Sequence, residues 1–464
     1  MEEVKPNIFT KLKNLIYGFL YGFYLPLTVC IWAFVCFIFE MQDIGLFVLI
    51  AFAGLILVVH KDITPIIPIL TCFFLLIRDY APLTTLPYIV SYIFLFSCLV
   101  CHFITFPPKA FCLGKMFFPL CLVTAALFLG GTISPYITQY KNGLVTAFTV
   151  GPMVLIIYLI FLNGVTPPKN FDLKIYLSVA IIIPTVFASL ELFLIRNCES
   201  FSLLASRDST GWGNVNHVAA MILIAFPLCA YLMCKTKRYA ACLAVMLYLV
   251  IALYVTRSDG CQGILLMGIP FIALQIIIQS KHNLKQKIIV AFSIAFALIS
   301  AFGIVVFNLF SINEITDFII KATYDSGRRF LYAKAIDLFK KNPILGVGVS
   351  FIDESAYRVT NNFNFHSTFF HILATMGTAG IVAYSVYYFV QFKILLNKNS
   401  DFNTFSFISI LLLESYGIID ICRFNALVYY ITLITLTLEL EKYKAEDISL
   451  PLTQKHKFYT PISF

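Results

Sequence analysis

The sequence predicts an all-α protein that crosses a membrane about 12–14 times and carries one large loop containing an amphipathic helix. Three observations predict it. Of the 464 residues, 60% are hydrophobic and only 12% are charged, about half the charge of a soluble domain. Mean hydropathy is +0.88, and about 14 apolar runs are long enough to span a bilayer. A single polar stretch, residues 311–365, is by far the longest gap between those runs, and a loop of that size in such a chain is kept for function.

The first apolar run, near 16–38, follows MEEVKPNIFTKLKN. It is too long for a signal peptide and lacks a small-residue cleavage site, so it reads as an uncleaved first span. The runs near 44–59 and 63–77 are short and closely spaced, which allows two spans or one re-entrant unit. Further runs fill residues 83–310, and three more follow the loop. The 13 cysteines lie mostly inside runs, where they act as small apolar residues. Cys98-Leu-Val-Cys101-His102 has the spacing of a c-type haem attachment. It stands alone inside an apolar run, so no cofactor, structural zinc or disulfide framework is expected. The net charge of +9 does not imply nucleic acid as a partner, because the basic residues sit at run ends without interleaved aromatics.

With the N-terminus in the cytoplasm and 14 spans alternating, the inner segments hold about 20 Lys and Arg and the outer ones about 13. About seven of the outer ones lie in the long loop, which counts less, so the short segments divide about 20 to 6. On that orientation residues 196–216, Thr256–Gly260 and the 311–365 loop share the outer face, away from ATP and nucleotide sugars. These segments hold most of the non-lysine polar chemistry.

Each candidate residue has a plain reading beside a chemical one. Arg257, at a span end, is either a snorkelling anchor, paired with Asp259, or a cation whose planar fork takes phosphate oxygens. Arg207–Asn216 forms a turn before a helix that Asn216 would cap; capping does not account for Arg207 and Trp212 beside it. RRFLYAKAIDLFKK, starting at Arg328, has apolar residues at near-helical spacing and reads as an amphipathic helix along the membrane surface. It would carry Arg328 and Arg329 to lipid-phosphate depth. Pro343, Gly346 and Gly348 then mark a turn. His366 opens the next apolar run, as a polar cap or as a general base near neutral pH. His371 lies five residues on, which is not the spacing of a helical metal pair. The few acids in or at the ends of spans, Glu191, Glu414 and Asp420, are functional candidates by their placement; the plain reading of Asp420 is an i,i+3 pair with Arg423 if the helix continues that far.

The order of these pieces resembles the O-antigen ligase and polymerase superfamily of bacterial membrane glycosyltransferases. The pieces are Arg207…Gly211…Asn214-x-Asn216-x-x-Ala219, a span ending at Arg257, the loop GRRFLYAKAIDLFKKNPILGVGVSF, and the His366-led span with Met376–Tyr384. The resemblance covers roughly residues 200–390. It implies a GT-C-like, metal-independent, inverting transferase in the bacterial cytoplasmic membrane, its site facing outward. The implied donor is a glycan on undecaprenyl diphosphate; the acceptor is a glycan or lipid core. It also implies a role in lipopolysaccharide or capsule biosynthesis, among membrane lipid, with a flippase and a chain-length regulator as partners. Carried over, His366 is the base and Arg257 contacts the diphosphate. Arg328, Arg329 and Arg207 bind donor phosphates, and Asn216, Asn214 and Gly348 support them. The expected division is 1–195 for N-terminal helices, 196–395 for the catalytic region, and 396–464 for C-terminal helices and tail. A flippase or polysaccharide transporter is the alternative, which would show inverted repeats and broken spans.

Overall fold

A computed structural model describes residues 8–76, 86–108, 110–168, 171–198, 209–210, 212–236, 238–279, 328–349, 365–396 and 400–421. Loop residues 311–327 and 350–364, Arg207 and Arg423 lie outside these, as do the apolar runs near 288–310 and 424–440. The helices among the described residues are α1 (Ile8–Leu20), α2 (Tyr24–Ile38), α3 (Gln42–Val59), α4 (Ile66–Leu76), α5 (Leu86–Thr105), α6 (Phe117–Leu129), α7 (Ile137–Val150), α8 (Pro152–Gly164) and α9 (Leu173–Asn197). After a hairpin of two-residue strands, β1 (Ser209–Thr210) and β2 (Gly213–Asn214), come α10 (Val215–Lys235), α11 (Tyr239–Thr256) and α12 (Asp259–Gln279). The last are α13 (Arg328–Lys341), α14 (Thr368–Leu396) and α15 (Asp401–Gly417). Eight helices among the described residues are long and apolar enough to cross a membrane, or nine if α1 and α2 count as one bent span. The protein is therefore an all-α polytopic membrane protein, as the hydropathy predicts.

The chain forms two compact units. The first holds α1–α5, α9 and the hairpin. In it α3 packs on α5, and α2 on α4 and α9. Trp212, fully buried beside the hairpin, donates its indole N–H to the Thr71 carbonyl at 3.0 Å, which satisfies the one polar atom of a large apolar side chain. The Cys98 and Cys101 thiols are free, Cys98 buried and Cys101 exposed, while His102 Nδ1 bonds to the Leu57 carbonyl at 2.8 Å.

The second unit holds α6, α7 and α10–α15. Its centre is α10, buried along nearly its whole length because α11, α12 and α15 surround it. Such a helix must be apolar all round, and VAAMILIAFPLCAYLMC is. Ser400 caps α15 by accepting the Asn403 N–H at 3.3 Å.

The loop helix α13 is amphipathic, as the spacing predicts, but its buried face is protein-covered. Leu331, Ala335 and Leu338 pack with Val347, Phe365 and Ala374, while Phe330 and Ile336 remain exposed. Burying each leucine contributes about 1.5–3 kcal/mol, which fixes α13 against α14. The segment after α13 grips α14 more tightly. Gly377 has φ +60° and ψ −150°, which breaks the helix. In a continuous helix the N–H groups of residues 378 and 379 would meet the carbonyls of 374 and 375. Here Thr378 and Ala379 donate to the Pro343 and Ile344 carbonyls at 2.8 and 3.0 Å, and Ala374 and Thr375 accept from Val347 and Gly348 at 2.9 Å each. The turn marked by Pro343, Gly346 and Gly348 thus closes a break within what the hydropathy shows as one apolar run.

Candidate active site

His366 stands two residues before α14 with φ +45°, a left-handed conformation that a non-glycine residue adopts only when its surroundings hold it. Two contacts hold it. The Tyr332 hydroxyl of α13 donates to the His366 carbonyl at 3.2 Å, and Tyr332 stacks on Phe370 with ring centroids 4.3 Å apart. The imidazole Nδ1 lies 3.4 Å from Asp420 Oδ1, with the two side chains 29% and 13% exposed. The ring is thus anchored on one side and open on the other.

Asp420 follows the end of α15. Its carboxylate accepts from the Tyr416 hydroxyl at 2.7 Å, the Ile421 N–H at 2.7 Å and Asn216 Nδ2 at 3.1 Å. Burial alone would raise its pKa, but the hydrogen bonds from His366, Tyr416 and the Ile421 N–H prevail and lower it to about 2. A fixed anion beside Nδ1 keeps the proton there and leaves Nε2 as the basic nitrogen.

Asn216, in the first turn of α10, reaches Asp420. Arg257 is exposed and ends α11 with φ +53°. Among the described residues no ion pair joins it to Asp259, which instead sits in the first turn of α12, where a carboxylate suits the helix dipole. The turn holding Arg257 abuts the site: a Cβ on Gly260 would collide with Ile419 Cδ1 and lie 3.4 Å from Tyr416 Cε2. Arg328 and Arg329 open α13, both exposed. Arg328 stands one turn before Tyr332, close enough to act on its hydroxyl electrostatically. Gly348 belongs to the clamp on α14: its N–H bonds Thr375, and its Cα would meet a Cβ on Gly131 at 2.6 Å. The backbone of Asn214 is in β2, in the other unit. Arg207 lies outside the described residues.

Tyr332 and Tyr416 escape a reading of the sequence, as does the partnership of Asp420 with His366; Arg423, its expected neighbour, lies outside the described residues. The signal available was Tyr416 and Asp420, two polar residues four apart at the end of an apolar helix. His371, also flagged, is buried within α14. Glu414 accepts from Tyr388 at 2.8 Å.

Residues 243–385, from α11 through the loop to α14, match the family model described as O-Antigen ligase. This region is similar to the O-antigen ligase family. The match supports a ligase- or polymerase-like role in surface-polysaccharide assembly, and it includes Arg257, Arg328, Tyr332 and His366. Among curated proteins, no relative matches the chain.

Proposed function

We propose that the protein is an inverting, metal-independent glycosyltransferase of the ligase or polymerase type, with 196–395 as its catalytic region. It takes a glycan from undecaprenyl diphosphate at the outer face of the bacterial cytoplasmic membrane and passes it to a sugar hydroxyl of a glycan or lipid core. The observation that carries the reading is the His366–Asp420 pair at the mouth of α14, fixed by Tyr332, Tyr416 and Asn216. A hydroxyl acceptor needs a base, and His366 Nε2 serves it. As the acceptor oxygen bonds to the anomeric carbon, its proton passes to Nε2, and the carbon–oxygen bond to the diphosphate breaks. The electron pair leaves with the lipid diphosphate. That growing charge needs cations rather than a proton, and Arg257 and Arg328 supply them, with Arg329 and Arg207 as further phosphate contacts.

The transporter alternative has one feature in its favour, the broken helix α14, since transporters use freed backbone groups to hold ions. Here Pro343–Gly348 takes up the freed groups at the break. The test is surface glycan in cells carrying His366→Ala or Arg257→Ala. A polymerase defect leaves single-unit glycan, and a ligase defect leaves full-length chains on the lipid carrier. Unchanged glycan in both variants would sink the site assignment.

A further inference from the structure

Helix α1 is bent away from α2 by 63°, so the apolar run near 16–38 is not one straight span. Gly22 sits at the break, where a Cβ would lie 2.3 Å from the Gly18 carbonyl oxygen. Polar bonds brace the bend. The Tyr176 hydroxyl donates to the Leu20 carbonyl at 3.2 Å, and the Tyr21 hydroxyl donates to Asp62 at 2.8 Å. Leu20 and Tyr21 are buried at this joint, but Leu12, Leu15 and Ile16 are 52%, 71% and 47% exposed.

At about 100° per residue, Leu12, Leu15, Ile16 and Phe19 share one arc of α1. Lys11 and Lys13 fall on its two edges; Asn14 and Tyr17 lie opposite. Lys13 Nζ stands 5.9 Å from the Tyr17 ring centroid. Residues 8–20 contain no acid. The roughly 27° separating the bend from a right angle is within the ordinary tilt of a membrane helix, about 20° on average and up to about 40°. A tilt of that size in α2 lays α1 in the bilayer plane.

We propose that α1 is an in-plane helix docked on an anionic bilayer surface, with Leu12, Leu15 and Ile16 among the acyl chains and Lys11 and Lys13 on headgroup phosphates. Three facts select lipid as the occupant. The exposed apolar arc is contiguous with the apolar helix α2, lysines flank it as the headgroup boundary requires, and the hinge is braced by named bonds. The charge bias of the loops assigns the cytoplasmic leaflet.

The test uses the full chain in nanodiscs, with a photo-crosslinking phenylalanine analogue at position 15 or at position 14. Lipid adducts from position 15 and none from 14 support the proposal. Adducts at 15 with a second copy or with the chain's own C-terminal peptide overturn it. Equal lipid adducts from both positions also overturn it, since they would mean that α1 is immersed as half of a broken span. Amide exchange in α1 is then compared in phosphatidylcholine with and without phosphatidylglycerol. The anionic lipid should slow exchange, and K11Q/K13Q should cancel that gain, about 30-fold for two lysines. Equal exchange in both lipids would refute the role of the lysines.

Discussion

Each unit contains an aspartate bonded to a tyrosine hydroxyl with a histidine close by, yet the two clusters do different work. Around Asp62, Tyr21, the Thr64 hydroxyl and N–H, and the Thr166 N–H all donate to the carboxylate. His60 Nδ1 faces the Asp62 main chain at 2.9 and 3.2 Å, and Asp62 is 3% exposed. Among the described residues every donor to that carboxylate is a hydroxyl or a backbone amide, so the cluster is a closed joint. One of the four partners of the Asp420 carboxylate among the described residues is an imidazole that remains partly open to solvent. Residue type does not make a site; what the histidine addresses, and what it leaves exposed, does.

Mutations can break this contrast. His366→Ala should lower transfer about 10²–10⁴-fold with little change in melting temperature, whereas His60→Ala should leave transfer within a few-fold; a comparable loss from His60→Ala would erase the distinction. Asp420→Asn, by removing the anion behind Nδ1, should cost about 10²-fold in kcat with KM little changed. Asp62→Ala should instead strand its donors and cost roughly 3 kcal/mol or more of stability, read as a lower unfolding temperature with normal turnover in the folded fraction. Gly377→Ala should destabilise the second unit by about 1–3 kcal/mol, because its Cβ would lie 2.7 Å from the Ile344 carbonyl carbon; an unchanged melt would mean the clamp carries no strain. Tyr332→Phe keeps the stack on Phe370 and loses only the bond to the His366 carbonyl. It should slow transfer a few-fold, about the worth of one hydrogen bond.

The smallest effect is in acid. The carboxyl of Asp420 titrates at about 2 in the fold, below its unfolded value of about 4. Its stabilising contribution is therefore complete above about pH 4 and is lost as pH falls toward 2. A melt of Asp420→Asn should lack this loss below about pH 4, and an acid dependence unchanged in that variant would contradict the assignment.

The spans were legible because a helix in lipid must be apolar over its full length, and α10 is the plainest case. His366 and Asn216 were legible because polar residues at span mouths stand out against so apolar a background. The contact of Asp420 with His366 was not, because it joins residues far apart in sequence. The bend at Gly22 and the break at Gly377 were also hidden: hydropathy averages over a window and does not register one backbone angle.

The clamp on α14 also bears on how the chain is made. Pro343 and Thr378 are 35 residues apart, so the loop that fills the break leaves the ribosome shortly before the helix that needs it. Unpaired peptide groups are costly in hydrocarbon, and joining ends this near in sequence is cheap in entropy. The span from Thr368 to Leu396 is therefore complete only once the segment ahead of it has folded back. Membrane insertion and loop docking become a single event, and a ribosome stalled between the two would leave an open helix at the translocon.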